Sequence, residues 1–352
     1  MIFLEIISFD TILNAFYIFF HKRRSVNKLE DARILVTGGA GFIGSFIVEE
    51  LLKEPIKEVI IYDNFSRGKI ENIKESLKDP RCFIYPYGGD IREIDVLDRA
   101  MEGIDYVFHL AAVWLLYCDD FPRTAFRVNI EGTFNILEMC VKHKVKKLIY
   151  SSSASVYGDA LKIPITEDHP LNSKNFYGAT KVAGESMCRA FNNKYGLSII
   201  GLRYMNVYGP RQTSHGVYNS VIPAILDKID AGESPIINGD GSQMYNFTYV
   251  KDAATAGIVV LKSDKKFGYY NISTGEPVTI KELCNTILKL KNSNLKPIYK
   301  PYNFNDSRAL VKNRVGCTKK AEIDLGFKCK YSLEEGLKEL IKWRKEKGID
   351  KK

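Results

Sequence analysis

Three side chains in the sequence have the types and spacing needed to move a proton: Ser153, Tyr177 and Lys181. On a helix, positions i and i+4 project from one face, so the phenol of Tyr177 and the ammonium of Lys181 would lie side by side. A phenol normally has a pKa near ~10, and a neighbouring cation lowers that pKa because it favours phenolate. If Ser153 lies opposite, one group can remove the proton of a substrate hydroxyl while the other orients it. The alternative interpretation is an ordinary helix face.

A glycine-rich segment is the second chemical signal. A β-rich apolar run ending at Thr37 leads into the sequence GGAGFIG and then into a helical stretch over residues 45–52. In this strand, turn and helix context, Gly38, Gly41 and Gly44 permit a tight turn, the approach of a pyrophosphate to the helix N-terminus, and close packing of helix and strand. The segment therefore predicts a dinucleotide site.

The strand that follows this helix ends at an acidic residue, Asp63. A carboxylate about 20 residues beyond the glycines is expected to bond the adenosine ribose. Because a 2'-phosphate would be repelled there, the sequence predicts NAD rather than NADP. Arg67 lies close behind Asp63 and weakens that preference.

Alternating strands and helices indicate the fold class: α/β, with a doubly wound parallel (Rossmann) sheet and a smaller C-terminal α/β substrate lobe. After the first two strands, further strands are predicted at residues 82–85, 106–110, 147–151 and 199–203. The carboxyl ends of such strands face the ligand crevice. There Asp90 would either bond the adenine amine or cap a helix, and Ala111 and Ala112 are small enough to leave room for the cofactor.

Composition limits the class of protein. The chain has 352 residues, of which 45% are hydrophobic and 26% charged, so it can bury one large core or a core plus a smaller lobe. The net charge of +9 comes largely from dispersed lysines, without an aromatic–basic RNA motif, so no nucleic-acid partner is predicted. The seven cysteines are odd in number and scattered, which suits neither a disulfide framework nor a metal site and predicts a cytoplasmic protein.

The N-terminus is apolar over residues 1–20 and basic over residues 21–24. Its charges follow the apolar run, unlike those of a secretory signal, and Glu5, Asp10 and Asn14 interrupt a membrane span. The segment is interpreted as a helix packed on the protein or on a partner subunit, as an interfacial helix that brings residues 1–24 to the inner face of the membrane, or as a start codon assigned too early. Packing is favoured.

Four regions are predicted along the chain. They are an N-terminal extension (1–30), a dinucleotide-binding domain (31–205), a mainly substrate-binding lobe (206–345) from which residues 243–275 return to the first domain, and a basic tail (346–352). Long helices are predicted over residues 122–143 and 177–195, and amphipathic helices over residues 279–290 and 332–347.

The chain resembles the extended short-chain dehydrogenases/reductases of the nucleotide-sugar epimerase/dehydratase group. The resemblance runs from about Ala32 to Trp343 and rests on GGAGFIG, Asp63, GDI, HLAA, VNIEGT, SSSASVYG, YGATK, LRYMNVYGPRQ, GDGSQ and KKAEIDLGF. It implies tightly held NAD, a catalytic triad of Ser153, Tyr177 and Lys181, and pairing of the two long helices in a homodimer. The cofactor contacts predicted from the glycine pattern, the strand ends and this resemblance are Gly38, Gly41, Phe42, Ile43, Gly44, Asp63, Asn64, Asp90, Ile91, Leu110, Ala111, Ala112, Asn129, Tyr177 and Lys181. His109 is expected to pack in the end of its strand rather than to act in catalysis.

Departures from the family pattern bear on the reaction. Dehydratases of the family carry an Asp-Glu pair after the hydroxyl residue, and decarboxylases keep the glutamate, whereas this chain has Ala154 and Ser155 there. Neither side chain carries protons as a carboxylate does. The stretch SSSASVYG is similar to that of UDP-galactose 4-epimerases, which implies C4 epimerisation of a UDP-hexose, a UDP-hexuronate or a UDP-N-acetylhexosamine for surface polysaccharide. Dehydration or decarboxylation is the enzymatic alternative, and an NAD-binding sensor or scaffold is the other.

The substrate side departs from the family pattern too. Ser153 and Asn206 match ligand-facing residues of the family. Tyr245 and Asn246 replace the usual arginine and aspartate, so one diphosphate contact is missing, and Arg308 or Arg211 would have to supply it. Arg314 falls near the position that gates the sugar pocket in epimerases, where a guanidinium can form two parallel bonds to a uronic carboxylate. The alternative is a surface arginine.

Overall fold

A parallel sheet of seven strands forms the centre of the molecule, for which the computed structural model describes residues 29–212, 220–301 and 313–351. The strands in chain order are β1 (Arg33–Thr37), β2 (Glu58–Tyr62), β3 (Cys82–Ile84), β4 (Tyr106–His109), β5 (Lys147–Ser153), β6 (Ile199–Tyr204), β7 (Val207–Tyr208), β8 (Ile236–Asn238), β9 (Met244–Tyr245), β10 (Thr248–Tyr249), β11 (Phe267–Ile272), β12 (Val278–Thr279) and β13 (Ile298–Lys300). The order in the large sheet is β11-β6-β5-β4-β1-β2-β3. The order of the strands reverses between β1 and β4, which is where a doubly wound sheet opens its ligand crevice.

The helices in chain order are α1 (Phe42–Leu51), α2 (Ile70–Ile73), α3 (Ile94–Ala100), α4 (Leu115–Asp120), α5 (Pro122–Ala125), α6 (Gly132–Lys142), α7 (Phe176–Tyr195), α8 (Val221–Asp230), α9 (Val250–Lys262), α10 (Ile280–Leu290), α11 (Lys319–Leu325) and α12 (Leu333–Glu346). Successive strand residues point to opposite faces, so Ile34 and Val36 pack with α1 and α9 on one side while Leu35 packs with α3, α6 and α7 on the other. These two layers of helices confirm the predicted fold class.

The helix predicted over residues 122–143 forms without a break, but it changes from α-helix to π-helix and back. Over residues 122–143 the chain forms α5, then a π-helix (Phe126–Glu131), and then α6. The wider π turn carries Asn129, whose side-chain amide donates to the carbonyl of Val113 (3.0 Å) and accepts from its N–H (2.8 Å). Insertion of a π turn is typical of functional sites, and here it brings a buried amide to the loop after β4.

The smaller lobe is built on α8, α10 and α12 with the short strand pairs β8–β13 and β9–β12, whereas α11 packs on β11 at the edge of the large sheet. Its helices α10 and α12 begin with capping boxes at Thr279 and Ser332, which satisfy the first N–H groups. The segment 313–317 connects this lobe to the first domain. Its backbone bonds β9 on one side and Ile165 on the other.

None of the helices in the described ranges is both long and apolar enough to cross a membrane. The N-terminal segment over residues 1–24, with its three interpretations, lies outside those ranges.

Candidate active site

The three proton-handling side chains converge at the carboxyl end of β5. Ser153 is the last residue of that strand, and its hydroxyl hydrogen-bonds the phenol of Tyr177 near the start of α7. The hydroxyl also accepts from the N–H of Ser155 (3.1 Å), which fixes its position. The ammonium of Lys181 lies 5.7 Å from the centroid of the Tyr177 ring and donates to the carbonyl of Ser151 (2.7 Å). The predicted triad is therefore assembled.

Helix α7 is held against this strand by caps and by a buried ion pair. Asn175 caps its N-terminus by accepting from the N–H of Gly178 (2.8 Å), and a Cβ at Gly178 would lie 2.4 Å from the carbonyl oxygen of Ser155. Further along, both carboxylate oxygens of Glu185 accept from Arg203 on β6 (2.9 and 2.7 Å), and one also accepts from Ser152 on β5 (2.6 Å). These contacts fix the helix that carries Tyr177 and Lys181.

Electrostatics at Tyr177 correct one expectation. The sequence predicted a pKa lowered by Lys181, but burial raises the pKa of Tyr177 to about 12 in the protein alone. The hydrogen bond from Ser153 and the charges of Arg67 and Arg314 oppose that rise. Burial also lowers the pKa of Lys181 to about 8. The ammonium is therefore still mostly charged at neutral pH, but it is directed at a backbone carbonyl.

The glycine turn has the shape of a pyrophosphate cradle. A Cβ at Gly44 would lie 2.2 Å from the carbonyl oxygen of Gly38, and a Cβ at Gly38 would lie 2.8 Å from the nitrogen of Ala111. Gly41 caps α1 without any side-chain hydrogen bond, so the first N–H groups of the helix are not capped by a side chain. Such a helix end is suited to an anion, and these residues, with Phe42 and Ile43 in the first turn, fit NAD.

Asp63 sits where the ribose contact was predicted. It is 9% exposed and accepts from the N–H groups of Ala40 and Phe65, both at 2.9 Å. Burial raises the pKa of its carboxyl, while those two hydrogen bonds lower it. Each oxygen has a further lone pair with which to accept a ribose hydroxyl.

At the next strand end, Asp90 is bound by Arg92, whose Nε donates at 2.9 Å, and this bond is the main reason that the pKa of Asp90 is lowered. Asn64 also bonds its carboxylate. The alternative that Asp90 caps a helix is wrong, because the cap of α3 is Glu93. Ile91 beside it is buried.

The predicted contacts Leu110, Ala111 and Ala112 follow β4 directly, where the N–H of Leu110 donates to the carbonyl of Thr37 (3.1 Å) and Ala111 lies against Gly38. His109 there bonds Thr37 (2.8 Å) and Thr133 (3.0 Å), and burial lowers its pKa to about 3. It is therefore neutral and packed in the strand end, as predicted.

The predicted substrate residues divide into two groups. Asn206 donates to the carbonyl of Asn246 (2.9 Å), and Tyr245 pairs in a β-bridge with Arg314, whose charge acts on Tyr177. These residues lie together on the lobe side of the site. Arg211 lies elsewhere, since its guanidinium bonds Ser45 (3.0 Å) and Glu49 on α1.

Arg308, the other predicted phosphate contact, lies outside the described residues, so its role stays a prediction.

One contact could not be foreseen from sequence motifs. Arg67, which the sequence related only to Asp63, has its guanidinium carbon 4.0 Å from the ring centroid of Trp114. Proximity along the chain gave no signal for that contact, because the loops after β2 and β4 meet only through the sheet order.

The strand order, the glycine cradle and the hydrogen-bonded Ser153 and Tyr177 with Lys181 define a short-chain dehydrogenase/reductase that binds a dinucleotide. The profile of the NAD dependent epimerase/dehydratase family matches residues 34–273, and the chain belongs to that family. Its cofactor is NAD.

Individual relatives agree with this assignment. A Methanocaldococcus jannaschii protein provisionally named UDP-glucose 4-epimerase is 36% identical over 316 residues, which cover 89% of this chain and 98% of the relative. The UDP-N-acetyl-alpha-D-glucosaminuronate decarboxylase of Bacillus cytotoxicus is 33% identical over 327 residues, covering 89% and 98%. Among solved structures, the UDP-N-acetylglucosamine 4-epimerase of Methanobrevibacter ruminantium M1 in complex with UDP-N-acetylmuramic acid has a TM-score of 0.84 at 34% identity, covering 90% of this chain and 99% of that one.

Proposed function

We propose that this protein catalyses NAD-dependent epimerisation at C4 of a nucleotide sugar through a transient 4-keto sugar. The observation that carries the proposal is the phenol of Tyr177, hydrogen-bonded to Ser153 beside an NAD cradle, with no carboxylate at the two positions after Ser153. NAD, when bound, supplies the hydride acceptor and donor, so no net oxidation occurs.

Residues of the chain itself transfer the proton and orient the sugar. Tyr177 as phenolate takes the proton of the sugar O4, and the hydroxyl of Ser153 orients that oxygen. Because burial raises the pKa of Tyr177 to about 12, the phenolate depends on Ser153 and on the nearby cations that oppose the rise. The keto sugar then rotates in the pocket and presents its other face, and Tyr177 returns the proton to O4 of the epimeric sugar.

Two neighbouring positions argue against the enzymatic alternatives. Ala154 and Ser155 form a short 3-10 turn after β5, and they are 1% and 4% exposed. Expulsion of water needs a further acid and base close to the sugar, and neither residue can supply one. The same reasoning disfavours decarboxylation. The assembled Ser153, Tyr177 and Lys181 argue against a sensor that only binds NAD.

For the sugar, we infer a hexose that bears a carboxylate, such as a uronic acid. Arg314 is partly buried in the segment that bonds β9, and its Nε has no hydrogen-bond partner within the described residues. Burial lowers its pKa, and the proximity of Tyr245, Tyr177 and Asp159 opposes this. A cation this close to the reacting phenol is at the hexose end of the substrate. A buried guanidinium nitrogen without a partner favours a carboxylate there, because two parallel hydrogen bonds would satisfy the group.

The diphosphate end of the substrate site lacks the usual pair of side chains. Tyr245 and Asn246 stand in place of an arginine and an aspartate, and Asn246 is fully buried, bonding Glu276 (2.7 Å) and Gly316 (2.7 Å). Asn246 is therefore a structural residue in this chain. We propose Arg308 for the diphosphate contact and leave out Arg211, which is paired with Glu49.

We also propose a cytoplasmic homodimer. In the described part of the chain, exposed aromatic side chains are spread along the two helices that the resemblance pairs: Phe126 is 55% exposed, Phe134 44%, Phe176 55% and Tyr195 50%. Apolar area of this kind is stabilised when a second copy covers it. The cytoplasmic location is supported by the seven unpaired cysteines, five of them buried.

The function is tested by incubating the purified protein with UDP-, dTDP- and GDP-sugars without added cofactor. Epimers of unchanged mass are expected, and Tyr177→Phe should form none while keeping NAD. Loss of water or of carbon dioxide from the sugar would instead identify a dehydratase or a decarboxylase.

The sugar class is tested in the same assay by comparing UDP-glucuronate with UDP-glucose. The wild type should favour the acid by at least about 10-fold in kcat/KM, and Arg314→Met should lose that preference mainly through KM, because a charged hydrogen bond contributes about 1.5–3 kcal/mol. Arg99→Met, which removes an exposed arginine of α3, is the control and should keep the preference. An unchanged preference in Arg314→Met would overturn the carboxylate contact without affecting the assignment of the reaction.

A further inference from the structure

The contact between Arg67 and Trp114 joins two loops at the cofactor crevice. Arg67 follows Asp63 in the loop after β2, and Trp114 follows Ala112 in the loop after β4. The guanidinium carbon lies 4.0 Å from the centroid of the indole ring. Trp114 is backed in turn by Tyr117, with ring centroids 5.0 Å apart, and Tyr117 by Phe121 at 4.7 Å. The guanidinium thus rests on a row of aromatic rings.

Arg67 is near one residue at each end of the cofactor site. Asp63, four positions earlier in the chain, is the residue suited to the adenosine ribose. At the other end, the charge of Arg67 is among the groups that oppose the rise in the pKa of Tyr177. Arg67 is therefore near both the reacting phenol and the carboxylate suited to the ribose, against which the adjacent Gly68 packs.

The charge of Arg67 is not neutralised by a carboxylate in the described part of the chain. Arg67 is an exposed residue, and partial desolvation of its guanidinium lowers its pKa. The phenol of Tyr177 opposes this, and no acidic residue contributes. Stacking on an indole holds a guanidinium without consuming its hydrogen-bond donors, because the attraction comes from the ring face. The donors remain available to a ligand.

We propose that Arg67, stacked on Trp114, is a cationic clamp for the pyrophosphate of NAD. The pyrophosphate is the group that joins the two halves of the dinucleotide, and a planar guanidinium can bond two phosphate oxygens at once. The glycine cradle offers only uncharged N–H groups, so Arg67 supplies the fixed positive charge. Such a clamp serves an enzyme whose cofactor is regenerated in each turnover and need not leave.

The test is calorimetric titration of the apoprotein with NAD, ADP-ribose and adenosine, which does not depend on turnover. Arg67→Met should weaken the binding of NAD and of ADP-ribose by about 10- to 100-fold, as expected for loss of hydrogen bonds to a charged group, and should leave the affinity for adenosine unchanged. Trp114→Leu keeps the charge but removes the stacking surface, so it should weaken the same two ligands by a smaller factor. Lys69→Met removes an exposed cation from the same loop and should change none of them.

Several results would overturn the clamp. Wild-type affinity for ADP-ribose in Arg67→Met would do so, and so would an equal loss of adenosine binding, which would mean that the loop had been distorted. If NADP is titrated as well, a loss of affinity confined to NADP would identify Arg67 as a residue that binds a 2'-phosphate instead. Weaker binding of UDP to the holoprotein, with NAD binding unchanged, would assign Arg67 to the substrate diphosphate.

Discussion

At the scale of single residues, the central fact is that Tyr177 is a poor base in the protein alone. Burial raises its pKa to about 12, whereas Ser153, Arg67 and Arg314 oppose that rise. These three groups come from three separate parts of the chain, and each favours the phenolate for a different reason. The base is therefore a property of the assembled site rather than of the helix that carries it.

Removing one of these groups should change the pH dependence of the rate. Ser153→Ala deletes a hydrogen bond that lowers the pKa of Tyr177, so that pKa rises and less phenolate is present at a given pH. The rising limb of the kcat profile should move to higher pH, and the rate at neutral pH should fall about 10-fold for each pH unit by which the limb moves. Ser155→Ala, whose hydroxyl has no assigned role, should keep the wild-type profile. An equal loss at every pH would show that Ser153 only orients the substrate.

The same residues show what sequence could and could not predict. The positions of Gly38 and Gly44 in a tight turn and of Asp63 at a strand end were predictable, because short-range geometry dictates them within one strand, turn and helix unit, while their contacts with NAD stay predictions. The contact of Arg67 with Trp114 was not, since it depends on β2 and β4 lying on either side of β1. The direction in which the pKa of Tyr177 moves was missed for a related reason: i, i+4 spacing gives a neighbour but not its burial.

At the scale of elements, the site depends on how closely β1, its turn and α1 approach one another. A Cβ at Gly44 would lie 2.2 Å from the carbonyl oxygen of Gly38 and 2.9 Å from the Cα of Gly39. Both neighbours are backbone atoms that cannot rotate away. The turn and the helix must separate if any side chain is placed there.

Gly44→Ala is therefore expected to open the cradle and release NAD. Overpacking of this kind lowers the free energy of unfolding by about 1–3 kcal/mol. Displacement of the N–H groups should also weaken the binding of NAD by at least about 10-fold. Cofactor retained per subunit after purification, and the Kd of the apoprotein for NAD, would measure this. Val48→Ala is the matched control, because it leaves a cavity in the buried face of the same helix and should lower stability while sparing the cradle. Full NAD occupancy in Gly44→Ala would show that the turn can adapt.

At the scale of the whole molecule, the exposed aromatic residues of the π-helix, α6 and α7 belong to the face that we propose as the subunit interface. Phe134 on α6 is 44% exposed and packs edge-on against Phe191 of α7. A dimer through this face would pair the helix that carries Tyr177 with its symmetry mate. Subunit association would then support the positioning of the catalytic residues.

The oligomeric state can be tested by placing a charged side chain in the proposed interface. Phe134→Glu places a carboxylate in the proposed interface and should convert a dimer into monomers, as seen by sedimentation velocity, because an unpaired buried charge is strongly unfavourable. Ile323→Glu makes the same kind of change at a residue of α11 that is 82% exposed, and should leave the dimer intact. A monomeric wild type, or a dimeric Phe134→Glu, would contradict the proposed interface.

The place of β11 in the sheet has a consequence for synthesis of the chain. All six residues of β6 are buried in the folded protein, and β6 has β5 on one side and β11 on the other. Until residues 267–272 have left the ribosome, β6 presents an unpaired apolar border to solvent. Nascent chains stalled before that point should be prone to aggregation and should depend on chaperones, because an unpaired edge strand can pair with strands of other polypeptides.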